Sequence, residues 1–421
     1  MTDKGKYLVK KTIRNMMICS LAGLTFAAGD ANASGWGLSD QSVTGLGRAY
    51  SDGALAGDDY SAIAYNPAAM QLGGTGVQLG GTLINLRSDV HGKTTYANGV
   101  SRSAGDANVN VSVVVPNFFA QYKVNEKMRV GFGIYVPFGL AIKYDSNWFA
   151  SEHGITSDLQ VIDFAPAVSY EVIDNLSLGV AVNFRKSSVF LTSHNIDNPQ
   201  TRNEFDLEDW GVGLNVGAMY KLGENTRFGV SFRSRSQHQI KGDTMLQSRD
   251  LPYNTTLPMD APERVLANVY HRIGDFGLSA GVEWTRWSRF DALRLNNAVT
   301  RAEVGQRWKN TWRGAVGLDY YHSENWTFRA GVGFDESPVP NSEWRTAAIA
   351  DNDRWMFSVG TSYKTGAWTV DFGYSFLYLP SYEVHNHRQN LNNDPTPTMT
   401  NLDAKFDTYA HVVGLQVQYT F

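Results

Sequence analysis

The sequence predicts an all-β fold, a transmembrane antiparallel β-barrel of about 14 strands with an N-terminal plug, or hatch, of short helices inside the lumen. Three observations predict it: an export leader, a period-two alternation of apolar and small or polar residues from residue 76 to the end, and connections that alternate between short and long.

The leader comes first. Lys4, Lys6, Lys10, Lys11 and Arg14 form a basic segment, and Met16 to Ala28 form an apolar core too short to span a bilayer. Ala31-Asn32-Ala33 is a small-residue cleavage site, so residues 1–33 read as a signal peptide and the mature chain starts at Ser34. Cys19, the single cysteine, leaves with that segment, and no lipobox surrounds it. A cysteine-free mature chain excludes a disulfide scaffold, a thiol nucleophile and a zinc–thiolate centre.

The formal net charge of −4 comes with no basic run that could follow a phosphate backbone, which excludes nucleic acid as a partner. Beyond the leader no stretch approaches the roughly 18 consecutive apolar residues of a membrane helix. That excludes helical spans only, because a barrel strand mixes lipid-facing with lumen-facing residues and its mean hydropathy is unremarkable. Aromatic residues at 12% and 40 glycines against 13 prolines suit strands with small lumen-facing positions.

Alternation places each strand. Tyr409, His411, Val413, Leu415, Val417, Tyr419 and Phe421 share one face of the last one, and Ala410, Gly414, Gln416, Gln418 and Thr420 the other. Trp326, Phe328, Ala330, Val332 and Phe334 oppose Thr327, Arg329, Gly331, Gly333 and Asp335 in the same way. Strands are expected at 76–88, 110–124, 128–143, 157–172, 175–194, 209–222, 225–245, 260–273, 275–296, 307–321, 324–335, 352–364, 366–384 and 405–421. Tight turns fall at Asn125-Glu126-Lys127, Ile173-Asp174, Gly223-Glu224, Gly274, His322-Ser323 and Thr365. Long loops fall at 89–109, 144–156, 195–208, 246–259, 297–306, 336–351 and 385–404. Short periplasmic turns and long outer loops are the pattern of an outer-membrane barrel, with both chain ends on the periplasmic side. A soluble β-sandwich with the same alternation seldom alternates its connection lengths so regularly.

Residues 34–75 do not alternate and are rich in Gly, Ala, Ser and Asp. They read either as a mobile periplasmic tail or as a plug, since a barrel of this size has a lumen too wide for side chains to fill. Within them Asn66-Pro67-Ala68 reads as a turn, Asn capping the chain and Pro fixing φ. The organisation expected is thus leader 1–33, hatch 34–75 and barrel 76–421.

At Ser42 to Tyr50 (SVTGLGRAY), Asn66-Pro67-Ala68 and Asn325 to Pro340 (NWTFRAGVGFDESPVP), the chain resembles the FadL family of outer-membrane transporters for long-chain fatty acids and related hydrophobic compounds. The resemblance spans the mature chain and implies a fourteen-stranded barrel with an N-terminal hatch around Asn66, Pro67 and Ala68, in agreement with the periodicity. It also implies a third strand kinked inward, opening the wall for sideways exit of ligand into the membrane. The matching segment holds Pro137-Phe138-Gly139, where a break is expected on physical grounds too, because proline cannot donate to the ladder and glycine weakens it. The family's usual residue at the proline position differs. Two cations of the family meet the ligand carboxylate, as a buried carboxylate requires. Lys309 matches the lysine, and the arginine falls on Arg185 or Lys186, alternation favouring Arg185 on the face of Ser177, Gly179 and Asn183. A cation that merely pairs with a lumen carboxylate such as Asp319 is the alternative.

Apolar loop residues offer a landing place for ligand: Trp148, Phe149 and Ile155 in one loop, Leu251, Pro252 and Tyr253 in another, although interface girdling would use the same residue types. No catalytic residue, metal site or cofactor is expected. His385 and His387 lie in a polar loop without further ligands, no G-x-S-x-G elbow occurs, and the Gly-x-Gly pairs at 45–47 and 211–213 lack a βαβ context. The expected function is passive uptake of a hydrophobic small molecule, foremost a long-chain fatty acid, by a monomer whose other partner is outer-membrane lipid. Uptake of aromatic hydrocarbons by the same route, a general diffusion porin, and a surface adhesin are the alternatives.

Overall fold

In the computed structural model the described residues are 35–96, 101–195, 201–245, 253–298, 301–349, 351–386 and 400–421. The leader, and with it the expected cleavage site, lies outside them. Strands β1 (Gly76–Tyr96), β2 (Ser101–Lys123), β3 (Met128–Lys143), β4 (Thr156–Ile173), β5 (Leu176–His194) and β6 (Arg202–Leu222) run up and down in sequence. Four staves follow in two pieces each: β7 (Thr226–Arg233) with β8 (Gln239–Met245), β9 (Tyr253–Pro258) with β10 (Arg264–Ile273), β11 (Phe276–Thr285) with β12 (Ala292–Asn296), and β13 (Arg301–Gly305) with β14 (Thr311–Tyr321). The wall ends with β15 (Trp326–Asp335), β16 (Arg354–Thr365), β17 (Trp368–Asn386) and β18 (Thr400–Thr420). Each divided stave pairs as one: β7 and β8 both lie against β6, and β10 and β9 lie against β7 and β8. The eighteen strands form a single sheet. β1 pairs with β18 from Gly76↔Thr420 to Tyr96↔Thr400, closing an antiparallel barrel of fourteen staves.

Alternation is what makes these segments strands. In β18 Ala410, Val412, Gln416 and Gln418 face inward and are buried, while Val413 and Leu415 face outward. The outward set across the barrel is apolar and aromatic, including Leu79, Trp210, Val230, Trp312, Phe357 and Phe372, the surface a lipid bilayer would cover. Tight turns use Gly274 and Gly366 at φ 57° each, a left-handed conformation that glycine adopts without a Cβ penalty.

The strand positions expected from the sequence hold in number, and several differ in reach: residues 253–258, 301–305 and 400–404, expected in long loops, are strand. The segment expected as a loop at 89–109 is a continued hairpin, paired from Asp89↔Asn108 to Thr95↔Ser101. The sixth strand starts at Arg202 rather than near 209. Both extensions carry polar residues on their outer face, such as Asp89, His91 and Asp106, and bury their apolar residues, such as Val90, Ala107 and Leu207, on the inner one, so no lipid-facing alternation marks them. The divided staves were likewise not expected.

Residues 35–75 are packed within the wall. They contain α1 (Val43–Gly47), α2 (Ala62–Tyr65) and a 3-10 turn, Pro67–Leu72. Ser42 caps α1 by accepting the Gly45 N–H at 2.8 Å. Leu55, Tyr60, Ile63 and Met70 join inward Phe119, Tyr135, Met219 and Tyr270 of the wall in one buried cluster. A second, larger cluster runs from Trp36, Phe138 and Trp287 to Tyr144, Trp148, Phe149, Tyr382 and Phe406.

Candidate functional site

The kink comes from β3 itself. From Arg129 to Ile134 it pairs with β2, the last pair being Phe118↔Ile134. Beyond that point β3 keeps β4 alone, across a register shift between Tyr135 and Phe138, while β2 continues beside β1. Burial tells the same story: residues 135–142 are buried on both faces, so alternation stops where the strand leaves the wall for the lumen. Pro137 sits in the shift, and Pro116 stands on the β2 edge facing the gap, each lacking the N–H that would zip the two strands together.

The edge of β3 that β2 abandons is taken by the strap before α1. Gly37 and Phe138 form an antiparallel bridge, Leu38 N donates to Pro137 O at 3.0 Å, and Gly139 N donates to Trp36 O at 2.9 Å. The Gln41 amide donates to Val136 O at 2.8 Å. These bonds satisfy backbone groups that would otherwise be bare inside a membrane protein. Above the strap stands an aromatic chamber. Trp36 meets Phe138 at 5.0 Å and Trp287 at 4.9 Å between ring centroids, and Trp308 meets Trp287 at 5.2 Å and Phe290 at 4.8 Å. Most are edge-on contacts, the geometry ring quadrupoles favour.

Cations ring this chamber. Arg185 is fully buried and faces inward, whereas the neighbouring Lys186 faces out and pairs with Glu208 at 3.4 Å. Arg185 spends its fork on Asp163, Nε to Oδ1 at 2.7 Å and Nη2 to Oδ2 at 2.8 Å, and its Nη1 has no partner. Arg233 also binds Asp163, at 3.1 Å, and reaches Tyr135 Oη at 3.2 Å and Ala64 O at 2.6 Å. Lys309 lies elsewhere: its side chain is exposed, and its N–H donates to Pro338 O at 2.8 Å. The structure therefore does not bring the two expected cations together.

Asn66, Pro67 and Ala68 sit on a glycine floor. Asn66 Oδ1 accepts the Ala68 N–H at 3.1 Å and caps the 3-10 turn, and Asn66 Nδ2 donates to Ala218 O at 3.0 Å on β6. A methyl group at Gly179 would overlap the Pro67–Ala68 peptide, and one at Gly217 would overlap the Asn66 amide. On the other side of the hatch Arg48 binds Asp319 at 2.6 Å and Asp52 at 3.2 Å and also holds Asp58, which Arg329 contacts at 2.6 Å. Burial works against the charge of Asp58, yet Arg48 and Arg329 overcome it and hold the carboxyl well below the usual range. The expected alternative of a lumen cation on Asp319 is thus filled by Arg48.

The landing residues need correction. Trp148 and Phe149 are buried rather than exposed: Trp148 stacks on Tyr144 at 3.9 Å, meets Phe149 at 5.1 Å and donates from Nε1 to Gly154 O at 2.8 Å. The loop folds inward because three large rings cover one another better than water would. Leu251 and Pro252 lie outside the described residues, as does His387. His385 bonds Asp403 at 2.9 Å and Glu383 at 3.1 Å, and no group of metal-ligating side chains occurs among the described residues.

The sequence reading missed Trp36, Trp287, Phe290 and Trp308, and with them Arg233 and Arg264. The break between β11 and β12, where Trp-Ser-Arg (Trp287–Arg289) interrupts the alternation, was the one available signal.

Residues 24–421 match the family described as "Outer membrane protein transport protein (OMPP1/FadL/TodX)". The chain is 30% identical to outer membrane protein P1 of Haemophilus influenzae, over 94% of this chain and 97% of that one. It is 26% identical to the long-chain fatty acid transport protein of Escherichia coli K12, over 84% and 90%. Among solved structures a Pseudomonas aeruginosa FadL homologue superposes with a TM-score of 0.83 at 22% identity, covering 92% of this chain and all of that one. The Pseudomonas putida toluene transporter TodX gives 0.62 at 17% identity, over 86% and 94%. With hatch, kinked strand and closed fourteen-stave wall in place, the chain belongs to the FadL/TodX family of outer-membrane transport proteins, and it is a transport channel rather than an enzyme.

Proposed function

We propose that the protein takes up hydrophobic molecules, foremost long-chain fatty acids, passively and releases them sideways into the membrane beside Phe138. The observation that carries this reading is the parting of β3 from β2 above Ile134, with the backbone of the freed edge bonded to the strap and not to a neighbouring stave. A strand edge left unpaired is costly in lipid, so a wall broken there needs a use. The continuous apolar cluster from Trp148 and Phe149 down to Trp36 and Phe138 suits water-shunning cargo and not the water-filled lumen of a general diffusion porin. Ligand would enter past the inward-folded loop, reach the aromatic chamber, and leave once Asn66, Pro67 and Ala68 and the strap shift.

Arg185 and Lys309 are proposed as the carboxylate partners. Arg185 has its unpartnered Nη1 to offer, and fuller contact means displacing Asp163. Lys309 joins only if a loop carries it inward. The aromatic chamber favours aromatic hydrocarbons as a second cargo, since rings would replace the Trp–Phe contacts with like contacts.

The test is to replace Pro137, Phe138 and Gly139 by regular strand residues that close the wall. Fatty-acid uptake is expected to vanish while the barrel keeps its heat-modifiable gel mobility; unchanged uptake would sink sideways exit. Lys309→Ala separates the cargoes, weakening fatty acids far more than toluene-like ligands if charge recognition holds.

A further inference from the structure

We propose that Arg264 is the pin of the side opening, a positioning residue that holds the strap and the kinked strand together until ligand passes. The proposal deepens the sideways-exit reading and rests on it for its purpose, though not for its geometry.

Arg264 is the first residue of β10, on the stave across from the kink. Its guanidinium spans both parts that must separate: Nη1 donates to Leu38 O of the strap and Nη2 donates to Pro137 O of the kink, at 3.4 Å each. The same plane lies 4.3 Å from the centre of the Phe138 ring, with Arg185 at 5.2 Å, so two cations hold one ring. The guanidinium packs directly over Gly37, where a methyl group would meet Arg264 Nη2.

The charge of Arg264 is poorly compensated by ordinary means. Its nearest carboxylate, Glu283, stands 3.7 Å from Nε, and that Nε has no hydrogen-bond partner. Asp163 is already taken by Arg185 and Arg233. What stabilises the cation beside Glu283 is therefore the two carbonyls and the ring, and the strap cannot part from the kink without breaking the bridge that Arg264 makes between the Leu38 and Pro137 carbonyls. A lysine could keep the charge near Glu283 but lacks the planar fork that bridges two carbonyls over a ring.

The test uses the full-length protein in outer-membrane vesicles with a reporter cysteine in the strap, Ser39→Cys, labelled by a small water-soluble maleimide. Adding Arg264→Met should speed labelling about tenfold, the low end of what a hydrogen bond from a charged group contributes, and Arg264→Lys should restore little of the protection. Both variants should keep heat-modifiable mobility, which reports the barrel alone. Unaltered labelling in folded Arg264→Met, or full protection in Arg264→Lys, would overturn the pin. Oleate uptake is measured separately: faster labelling with unchanged uptake leaves the pin standing and counts against sideways exit.

Discussion

Asp163 is shared by two arginines at the kink: it takes Arg185 at two points, 2.7 and 2.8 Å, and Arg233 at 3.1 Å, with both Asp163 and Arg185 wholly buried. The sharing makes the three residues unequal. Asp163→Asn strips two buried cations of the one anion that pairs with them among the described residues, and removing one side of a buried pair costs about 3–5 kcal/mol. Arg185→Met leaves Asp163 still bound by Arg233 and should cost clearly less. Urea unfolding followed by gel mobility measures both, and equal losses would mean that Arg233 does not act as the second partner.

How far the sequence reveals this arrangement depends on the range over which each residue acts. Alternation is local, so the fourteen staves and their short turns could be read wherever the outer face is apolar, and could not be read at Asp89 to Tyr96, where the outer face is polar and Val90 and Thr94 are buried on the inner one. The break at Pro137 was also legible, because proline and glycine act on their own backbone. The partner of that break was not: Leu38 and Pro137 are joined across 99 positions, and Arg264 and Leu38 across 226. Arg185 was placed on the right face by period two, but its commitment to Asp163 belongs to the register between β4 and β5. Trp148 and Phe149 were misread as exposed because a loop aromatic looks the same in sequence whether it faces water or a lumen.

The glycine floor under the Asn66 turn gives a second prediction. Gly217 on β6 lies against the Asn66 amide and Gly179 on β5 against the Pro67–Ala68 peptide, so even a methyl group must push the turn inward. Overpacking of this kind costs about 1–3 kcal/mol, and here it falls on the hatch rather than on the wall, whose outer face stays untouched. Gly217→Ala should therefore raise protease cleavage within residues 35–75 while heat-modifiability is retained. A hatch as resistant as in the parent would show that the turn yields without loosening.

The hatch should also loosen as pH rises from mildly acidic to neutral. Burial pushes the Asp52 carboxyl up to about 6 against the pull of Arg48, and burial pushes Asp351 up to about 6 against the pull of Arg354 and the Gly35 and Ser337 donors. A carboxyl raised above its unfolded value of about 3.9 stabilises the folded state fully below that pH and loses the contribution as pH climbs through its folded value. For Asp52 the loss is at most about 3 kcal/mol. Asp58 runs the other way, but its carboxyl is held so low that it stays ionised across this window and contributes a constant. Asp52 accepts the Ala56 N–H at 3.2 Å and Asp351 the Gly35 N–H at 3.1 Å, so those two amides report the change. Hydrogen exchange there, corrected for the intrinsic base-catalysed rate, should lose protection between about pH 4 and pH 7, and Asp52→Asn should flatten the Ala56 profile. Protection at Ala56 that instead stays flat across this window would mean that Asp52 is ionised throughout and that Arg48, not burial, sets its charge.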